Sequence, residues 1–593
     1  MSPPDEYPRR LADRRRHAAE LALTERRIGT WRLVVFSAGV LIAACAFIGG
    51  LLSPAWLVVP ALMFGALVLA HTRVIPARQR ADRAVRYYER GLARIEDRWA
   101  GGGEPGDRFV DETHPYSGDL DLFGRGSLFE LLCTARTRVG EDTLATWLRG
   151  PAARDEIRAR QAAVAELRGR LDLREDVALL GANVGAGLHP DLLVAWATAP
   201  VLPSSTAWRA AAAALVATAA LLLVAYLMGW SGPGPLVAAL LGEGLLALPL
   251  RKRVAAVLRA VELPGRDLGL LAELLARIER ERFDAPRLAA VRAALETRGV
   301  PPSRRIAQLE RLINLLDARR NQFFAPIAPL LLWGTQLALA IEAWRALCGP
   351  AIARWLAAVG EFEALCALAT YAYEHPEEPF PEIAETGPLF ESVALGHPLL
   401  PRTRCVRNDV RLAADAALLV VSGSNMSGKS TLLRSIGVNA VLVQAGAPVR
   451  AQMLRVSELT VGTSMRLADS LQTGTSRFYA EIQRLRQLVD LAQGPRPLLF
   501  LLDEILHGTN SHDRHLGAEA VVRGLLARGA VGLITTHDLS LAAIADGLAP
   551  RAANVHFEDQ LDDGRMRFDY RMRAGVVQHS NALALMRAVG LDV

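Results

Sequence analysis

Two hydrophobic patterns divide the chain, and they change over near residue 389. In the first part, uncharged apolar runs are separated by arginine-rich, helix-patterned stretches. Leu33 to Leu52 is uncharged and long enough to cross a bilayer core of about 30 Å as a helix. Ser53-Pro54 marks a turn, and Ala55 to Ala70 runs back. A second pair follows at Ala210 to Trp230 and Pro235 to Leu250, split by the glycine- and proline-rich Gly229 to Pro235. Glu243 interrupts the fourth run and is costly in lipid unless it is protonated or faces a neighbour. A signal peptide competes for the first run, but there is a second run and no small-residue cleavage site. Burial in a large soluble core competes for all four.

Between the hairpins, Asp119 to Leu167 reads as soluble and mostly helical. Arg251 to Tyr373 reads as a long helical region, with Leu270, Leu271, Leu274, Leu275 and Ile278 at helical spacing for ordinary core packing. A fifth run, Ile327 to Ala340, carries Pro329 and Gln336 and is followed by Glu342 and Arg345; it is expected to form a buried helix. Pro376, Pro379, Pro381 and Pro388 mark a linker. From Leu389 onward, short apolar strands alternate with helices, the pattern of an α/β domain with a mainly parallel sheet.

Composition agrees with this division. A chain of 593 residues holds several domains, and 51% apolar residues is high for a soluble protein. A net charge of +6 is small for this length and does not by itself argue for nucleic-acid binding. Cys45, Cys133, Cys348, Cys366 and Cys405 are scattered and form no C-x-x-C pair. They read as reduced thiols of a cytosolic or membrane protein and not as a disulfide frame or zinc site. The cations are placed asymmetrically: Arg9, Arg10, Arg14, Arg15, Arg16, Arg26 and Arg27 fill the tail, and Arg32, Arg73 and Arg78 bracket the first hairpin. Arg209, Arg251, Lys252 and Arg253 bracket the second. By the positive-inside rule both hairpins start and end in the cytoplasm, which predicts a multi-pass protein of the cytoplasmic (inner) membrane.

The chemistry lies in the α/β part. The apolar run Ala416 to Val421 leads into Gly423-Ser424-Asn425-Met426-Ser427-Gly428-Lys429-Ser430-Thr431, which fits G-x-x-x-x-G-K-[ST]. The glycines let backbone N–H groups converge on a phosphate, and the helix beginning near Lys429 adds its positive end. Lys429 would reach the β- and γ-phosphates of ATP, and Ser430 would offer its hydroxyl to Mg²⁺. Lys429 is one of two lysines in the chain, the other being Lys252. An extra membrane crossing at the fifth run would put this loop on the side away from ATP, which favours the buried-helix reading there.

Leu498 to Leu502 is wholly apolar and ends in Asp503-Glu504. Such a strand suits the middle of a parallel sheet, with the ligand crevice at its carboxyl end. Asp503 would hold the Mg²⁺ hydration shell, and Glu504 would orient or deprotonate the attacking water; a surface turn is the plainer alternative. Ala530 to Ile534 ends in Thr535-Thr536-His537-Asp538, where His537 would sense or stabilise the γ-phosphate, or else be an ordinary surface histidine. Lys429, Glu504 and His537 thus form the expected catalytic set for phosphoryl transfer to water.

Together GSNMSGKST, DEILHGTNSHDR and TTHD resemble the ATPase domain of the MutS family of DNA mismatch-repair proteins. Asp469 to Leu471 with Ser476 to Glu481 is similar to that family's signature segment, and Gly575 with Ser580 to Ala582 to its closing segment. His397-Pro398 and Asn408-Asp409 match its entry strands. More weakly, Leu122 to Gly124, Ser127-Leu128, Thr137, Gly140, Trp147-Leu148, Pro151 and Arg160-Gln161 look like the start of the family's core and lever helices. An ABC transporter, the nearest rival, would need an LSGGQ-type signature, which is not found.

The resemblance implies ATP with Mg²⁺ held by Ser430 and Asp503. It also implies a homodimer in which Ser476 acts in trans on the partner's nucleotide, a plain helix cap being the alternative for Ser476. DNA is the implied partner. Departures accompany it. Family members usually carry proline and glycine where this chain has Ser424 and Ser427, and glycine-arginine where it has Leu506-His507. A Phe-x-Glu mismatch wedge is not recognised, since Phe380-Pro381-Glu382 falls in the linker. The resemblance stops at Val593, where members often continue into a helix-turn-helix.

The expected fold is therefore an α/β P-loop ATPase domain (ABC-type, MutS-like) preceded by an all-α core and lever region with two transmembrane helical hairpins. Its expected parts are a basic tail (1–32), a hairpin (33–72), a first helical part (73–207), a second hairpin (208–250), a second helical part with linker (251–385) and the ATPase domain (386–593). A membrane-tethered mechanical ATPase working on a protein or membrane partner is the alternative to DNA sensing.

Overall fold

The computed structural model describes residues 2–48, 50–185, 187–200, 206–318, 322, 324–424, 426–465, 477–506, 511–537, 539–562 and 565–577. The N-terminal half is helical: α1 (Pro3–Phe47), α2 (Val58–Ile95), α3 (Leu128–Leu132), α4 (Arg138–Arg149), α5 (Arg154–Arg168), α6 (Leu171–Gly185) and α7 (Pro190–Thr198). It continues with α8 (Thr206–Leu227), α9 (Pro233–Ala247), α10 (Arg251–Ala260), α11 (Glu262–Glu279), α12 (Pro286–Leu295), α13 (Pro302–Asp317) and α14 (Trp333–Glu374). Strands β1 (Glu382–Ile383), β2 (Leu389–Leu395), β3 (Asn408–Ala413) and β4 (Leu418–Ser422) then lead into α15 (Lys429–Ala445). After β5 (Met453–Val456) and β6 (Thr460–Ser464) come α16 (Arg477–Leu491), β7 (Leu498–Asp503), α17 (Ser511–Ala527), β8 (Val531–Thr536), α18 (Leu539–Asp546), β9 (Ala552–Asp562) and β10 (Arg565–Ala574).

Contacts divide the chain into two compact units. One comprises Met1–Cys133, Leu148–Arg154 and Thr370–Val593; the other comprises Thr134–Trp147 and Asp155–Ala369. In the first unit, a six-stranded sheet runs in the order β10-β9-β4-β8-β7-β6, parallel except for β10 against β9. A four-stranded sheet, β1-β5-β2-β3, is mixed. The sheets are therefore mixed overall, with a parallel centre. β4 is buried throughout and β7 is buried up to Asp503, as wholly apolar strands inside a parallel sheet must be.

Residues 97–133 also belong to this unit and pack on the sheet. Asp119 accepts hydrogen bonds from Thr463 Oγ1 (2.6 Å) and the Met465 amide (3.1 Å), and its carbonyl accepts from Arg434 Nε (3.0 Å). Leu120 lies so close to Gly437 of α15 that an added Cβ would meet it at 2.5 Å.

Helices α1 and α2 form the first hairpin. The basic tail is not a separate segment: α1 runs unbroken from Pro3 through the apolar run and stops at Phe47, short of Leu51-Leu52. At the other end a buried node fastens the hairpin to the unit. Arg94 makes two 2.6 Å bonds to the Glu374 carboxylate, whose side chain is wholly buried, and Tyr7 donates to the same carboxylate at 3.1 Å. Tyr7 also sits 5.4 Å from the Tyr88 ring and 5.7 Å from the Tyr373 ring. Removing one partner of such a pair leaves a buried charge uncompensated, typically at a cost of about 3–5 kcal/mol.

In the second unit α8 and α9 form the other hairpin, and α11 buries Leu271, Leu274, Leu275 and Ile278. Burial of each such side chain is worth about 1.5–3 kcal/mol. The fifth apolar run departs from expectation in its first half only; from Trp333 it is helical, with Leu337, Ala338 and Leu339 buried. Residues 324–332 form successive turns, Ile327 and Leu330 are exposed, and the helix starts only at Trp333. Pro329 is the physical reason: it has no N–H to donate and disfavours helical backbone at Ala328.

Among the described residues four helices are long and apolar enough to cross a membrane: Pro3–Phe47, Pro54–Ile95, Trp208–Leu227 and Pro233–Glu279. Their apolar side chains face outward, Leu41 being 66% and Leu221 72% exposed.

A buried acid sits in the helical unit. Glu363 of α14 accepts from the Arg136 amide (3.1 Å), the Thr137 amide (3.3 Å) and the Thr137 hydroxyl, holding the start of α4. Burial lifts its carboxyl from 4.5 to about 7, against the pull of those donors. The folded chain therefore binds more protons than the unfolded chain between these values. The stabilisation is full below pH 4.5 and is lost as pH rises through about 7. The expected loss is at most about 3 kcal/mol. Glu363→Gln should flatten the fall in apparent thermal midpoint between pH 5 and pH 8; an unchanged slope would assign the pH dependence to another group.

Candidate active site

Strand order brings the candidate residues to one edge. Register pairs Ser422 with Thr536 and Asp503 with Thr535, so β4, β8 and β7 end side by side. The turn after β4 needs its glycines. Gly423 has φ +147° and Gly428 φ +110°, where a side chain is strained. A Cβ on Gly423 would also lie 2.9 Å from Ser427 Oγ and 3.0 Å from the Phe557 carbonyl. Met426, at φ 68°, is 84% exposed, and α15 begins at Lys429. Asn425 lies outside the described residues, as do His507 and Ser476.

Lys429 is buried at this edge. Its ammonium donates to the carbonyls of Gly423 (2.7 Å) and Ser424 (2.8 Å) and stands 3.8 Å from Glu504 Oε1. Burial pulls its pKa below the usual lysine range, opposed by the carboxylates of Glu504 and Asp503. His537 Nδ1 is 3.4 Å from the same Glu504 oxygen. Glu504 has φ 49° and Leu506 φ 59°, a left-handed backbone that costs non-glycine residues on the order of 1–3 kcal/mol each. The surroundings hold that backbone in place. The Glu504 amide donates to Thr535 Oγ1 (3.1 Å), and Thr535 Oγ1 donates to Asp503 Oδ1 (2.5 Å). The Leu506 amide donates to the buried Glu481 carboxylate (2.5 Å).

The donor set fits a nucleotide phosphate. The hydroxyls of Ser424 and Ser427 are shielded from solvent and have no hydrogen-bond partner among the described residues. Ser430 and Thr431 line a cavity of about 710 Å³ together with Lys429 and Glu504. No group of three or more His, Cys, Asp or Glu side chains converges as a metal site among the described residues. A Mg²⁺ here would take few protein ligands and complete its shell with phosphate oxygens and water.

The sequence assigned no role to Thr535, which joins Asp503 to Glu504, and of the far wall of the cavity it marked only Asn408, as part of an entry strand. That wall is built by Leu400, Arg404, Val406, Asn408, Phe557 and Tyr570. Asn408 ties it together, donating to the Tyr570 carbonyl (3.0 Å) and accepting from the Met572 amide (2.8 Å). Its loop is also held from the first hairpin, since the Arg402 amide donates to Asp97, just past the end of α2, at 2.9 Å.

Comparison with known proteins covers the part of the chain that carries these residues. Residues 419–592 match the family described as MutS domain V. The chain is 33% identical over 238 residues to a DNA mismatch repair protein MutS of Natronomonas pharaonis, covering 40% of this chain and 27% of that protein. It is 36% identical over 246 residues to a DNA mismatch repair protein MutS 2 of Halobacterium salinarum, covering 41% and 27%. It is 31% identical over 213 residues to an Endonuclease MutS2 of Thermus thermophilus, covering 35% and 27%. The chain thus spans about 27% of the length of these curated relatives. From Leu419 onward, this protein carries an ATPase domain of the MutS type.

Proposed function

We propose that the chain is a membrane-anchored, MutS-like ATPase that works as a homodimer and couples ATP binding and hydrolysis to DNA. The observation that carries the catalytic part is the Glu504 carboxylate set between the Lys429 ammonium and the His537 ring at the end of the parallel sheet. Loop amides from Gly423 to Ser430 and the start of α15 bind the phosphates. Lys429, already desolvated, exchanges its carbonyl partners for phosphate oxygens. Ser430 and Asp503 would hold Mg²⁺, which would supply charge neutralisation at the phosphates. Glu504 orients a water and takes its proton as that oxygen attacks the γ-phosphorus and ADP leaves. His537 fixes Glu504, and Thr535 fixes Asp503. By resemblance, the partner's Ser476 caps the nucleotide.

DNA as the target is supported by the repair names of the matched relatives. Membrane placement in the cytoplasmic membrane is supported by four long helices with outward-facing apolar side chains, arranged as two hairpins with basic flanks. The same exposed helices favour the second reading, a tethered mechanical ATPase acting on a protein or membrane partner.

Three outcomes follow. Glu504→Gln should keep ATP binding and lower turnover by at least about 100-fold, whereas Lys429→Ala should weaken ATP binding itself; a Glu504→Gln protein with wild-type turnover removes the base assignment. Full-length protein should resist carbonate extraction, and recovery in the soluble fraction would refute the anchor. Detergent-purified protein should bind homoduplex, mismatched and branched DNA through phosphate contacts, with affinity falling steeply with salt and little preference for a mismatch. Absence of binding to every form at low salt would select the mechanical reading.

A further inference from the structure

A second cavity lies in the helical unit where α9 gives way to α10. It has a volume of about 670 Å³, within the range of small-ligand pockets. One wall comes from Leu248, Val254 and Leu258, the other from Ala328, Leu332 and Trp333, with Arg251 as the only charged side chain of the lining. The second wall is the turn segment that replaces the expected buried helix. It is fixed on several sides: Leu332 adopts φ 46°, the Trp333 indole donates to the Leu315 carbonyl (2.7 Å), and the Phe324 and Trp333 rings stack edge to face at 5.2 Å. Gly334 closes on Leu258, whose Cδ1 would stand 3.5 Å from an added Cβ. The cavity is thus built, with aliphatic and aromatic walls and one guanidinium.

Its place in the chain identifies the occupant. Leu241, Leu245 and Leu248 are 64–71% exposed along the last apolar run. The run ends directly in Arg251-Lys252-Arg253, all exposed. Ile327 and Leu330, from the opposite wall's segment, are exposed as well. An occupant that matches both features has a long apolar chain and an anionic head held at the boundary between apolar run and basic cluster. We propose that this cavity binds a phospholipid with an anionic headgroup, its acyl chain against Val254, Leu258 and Leu332 and its phosphate on Arg251 with Lys252. The site rests on the membrane placement proposed above. It makes the cavity a stoichiometric lipid site, separate from the nonspecific lipid contact of the four apolar helices.

The test uses full-length protein in phosphatidylcholine nanodiscs doped with a phosphatidylglycerol that carries a photoreactive diazirine in its acyl chain. Adducts should concentrate in residues 244–258 and 324–335. Unlabelled phosphatidylglycerol should compete and phosphatidylcholine should not. Arg251→Glu with Lys252→Glu should lower labelling about tenfold, the worth of one charge-assisted contact. Ala328→Trp, which fills the cavity, should do the same, and Ala255→Phe fills it from the other wall should Ala328→Trp fail to fold. ATP turnover should be unchanged in all of them. Adducts spread evenly over the four apolar helices, or labelling insensitive to filling, overturn the site. Equal competition by phosphatidylcholine overturns its anionic character. A chain that enters nanodiscs but labels unselectively removes this inference alone, whereas a chain that stays in the aqueous fraction removes the membrane placement and the inference together.

Discussion

A buried ammonium governs the catalytic end of the molecule. Lys429 has lost its water, and a desolvated charge must be met by oxygens or give up its proton. The structure meets it with two carbonyls from its own loop and a carboxylate from the next-but-one strand. That requirement explains several features at once. The loop must curl back through left-handed glycines to turn those carbonyls inward, and β7 must lie two strands from β4 so that Glu504 arrives within 3.8 Å. Glu504 and Leu506 must also accept costly backbone conformations, held by Thr535 at Glu504 and by Glu481 at Leu506. The set suits a multiply charged anion, which would stabilise the cation and accept from the shielded hydroxyls of Ser424 and Ser427 together.

The strands that carry the candidate site were legible in the sequence because their signals are local. A wholly apolar stretch that ends in Asp503-Glu504, and a glycine-spaced loop that ends in Lys429-Ser430, each state their chemistry within a dozen residues. Residues whose roles depend on register across the sheet were not legible. Thr535 matters because β8 pairs with β7 at Asp503, and Tyr570 because β10 returns past Asn408; neither pairing has a sequence pattern. The first half of the fifth apolar run shows the opposite failure. Its hydrophobicity argued for burial, but Pro329 broke the helix and left Ile327 and Leu330 facing out. The length of α1 was hidden for a related reason, since apolar scanning sees only the stretch without charges, while the charged tail continues the same helix.

The first hairpin joins the rest of its unit, which carries the candidate active site, at two points of different character. Arg94 and Glu374 form a dry, bidentate clamp, and Asp97, just past the end of α2, holds the loop that walls the cavity through Arg402. On the proposed membrane placement, α2 becomes a moment arm. From Pro76, where the ladder lacks one bond, to Ile95 it extends about 30 Å at roughly 1.5 Å per residue, so a tilt of about 5° displaces its far end by about 3 Å. A displacement of that size equals the length of the hydrogen bond between Arg402 and Asp97. On that placement, a mismatch between the hairpin's apolar length and the bilayer would be felt, through this arm, at the wall of the cavity.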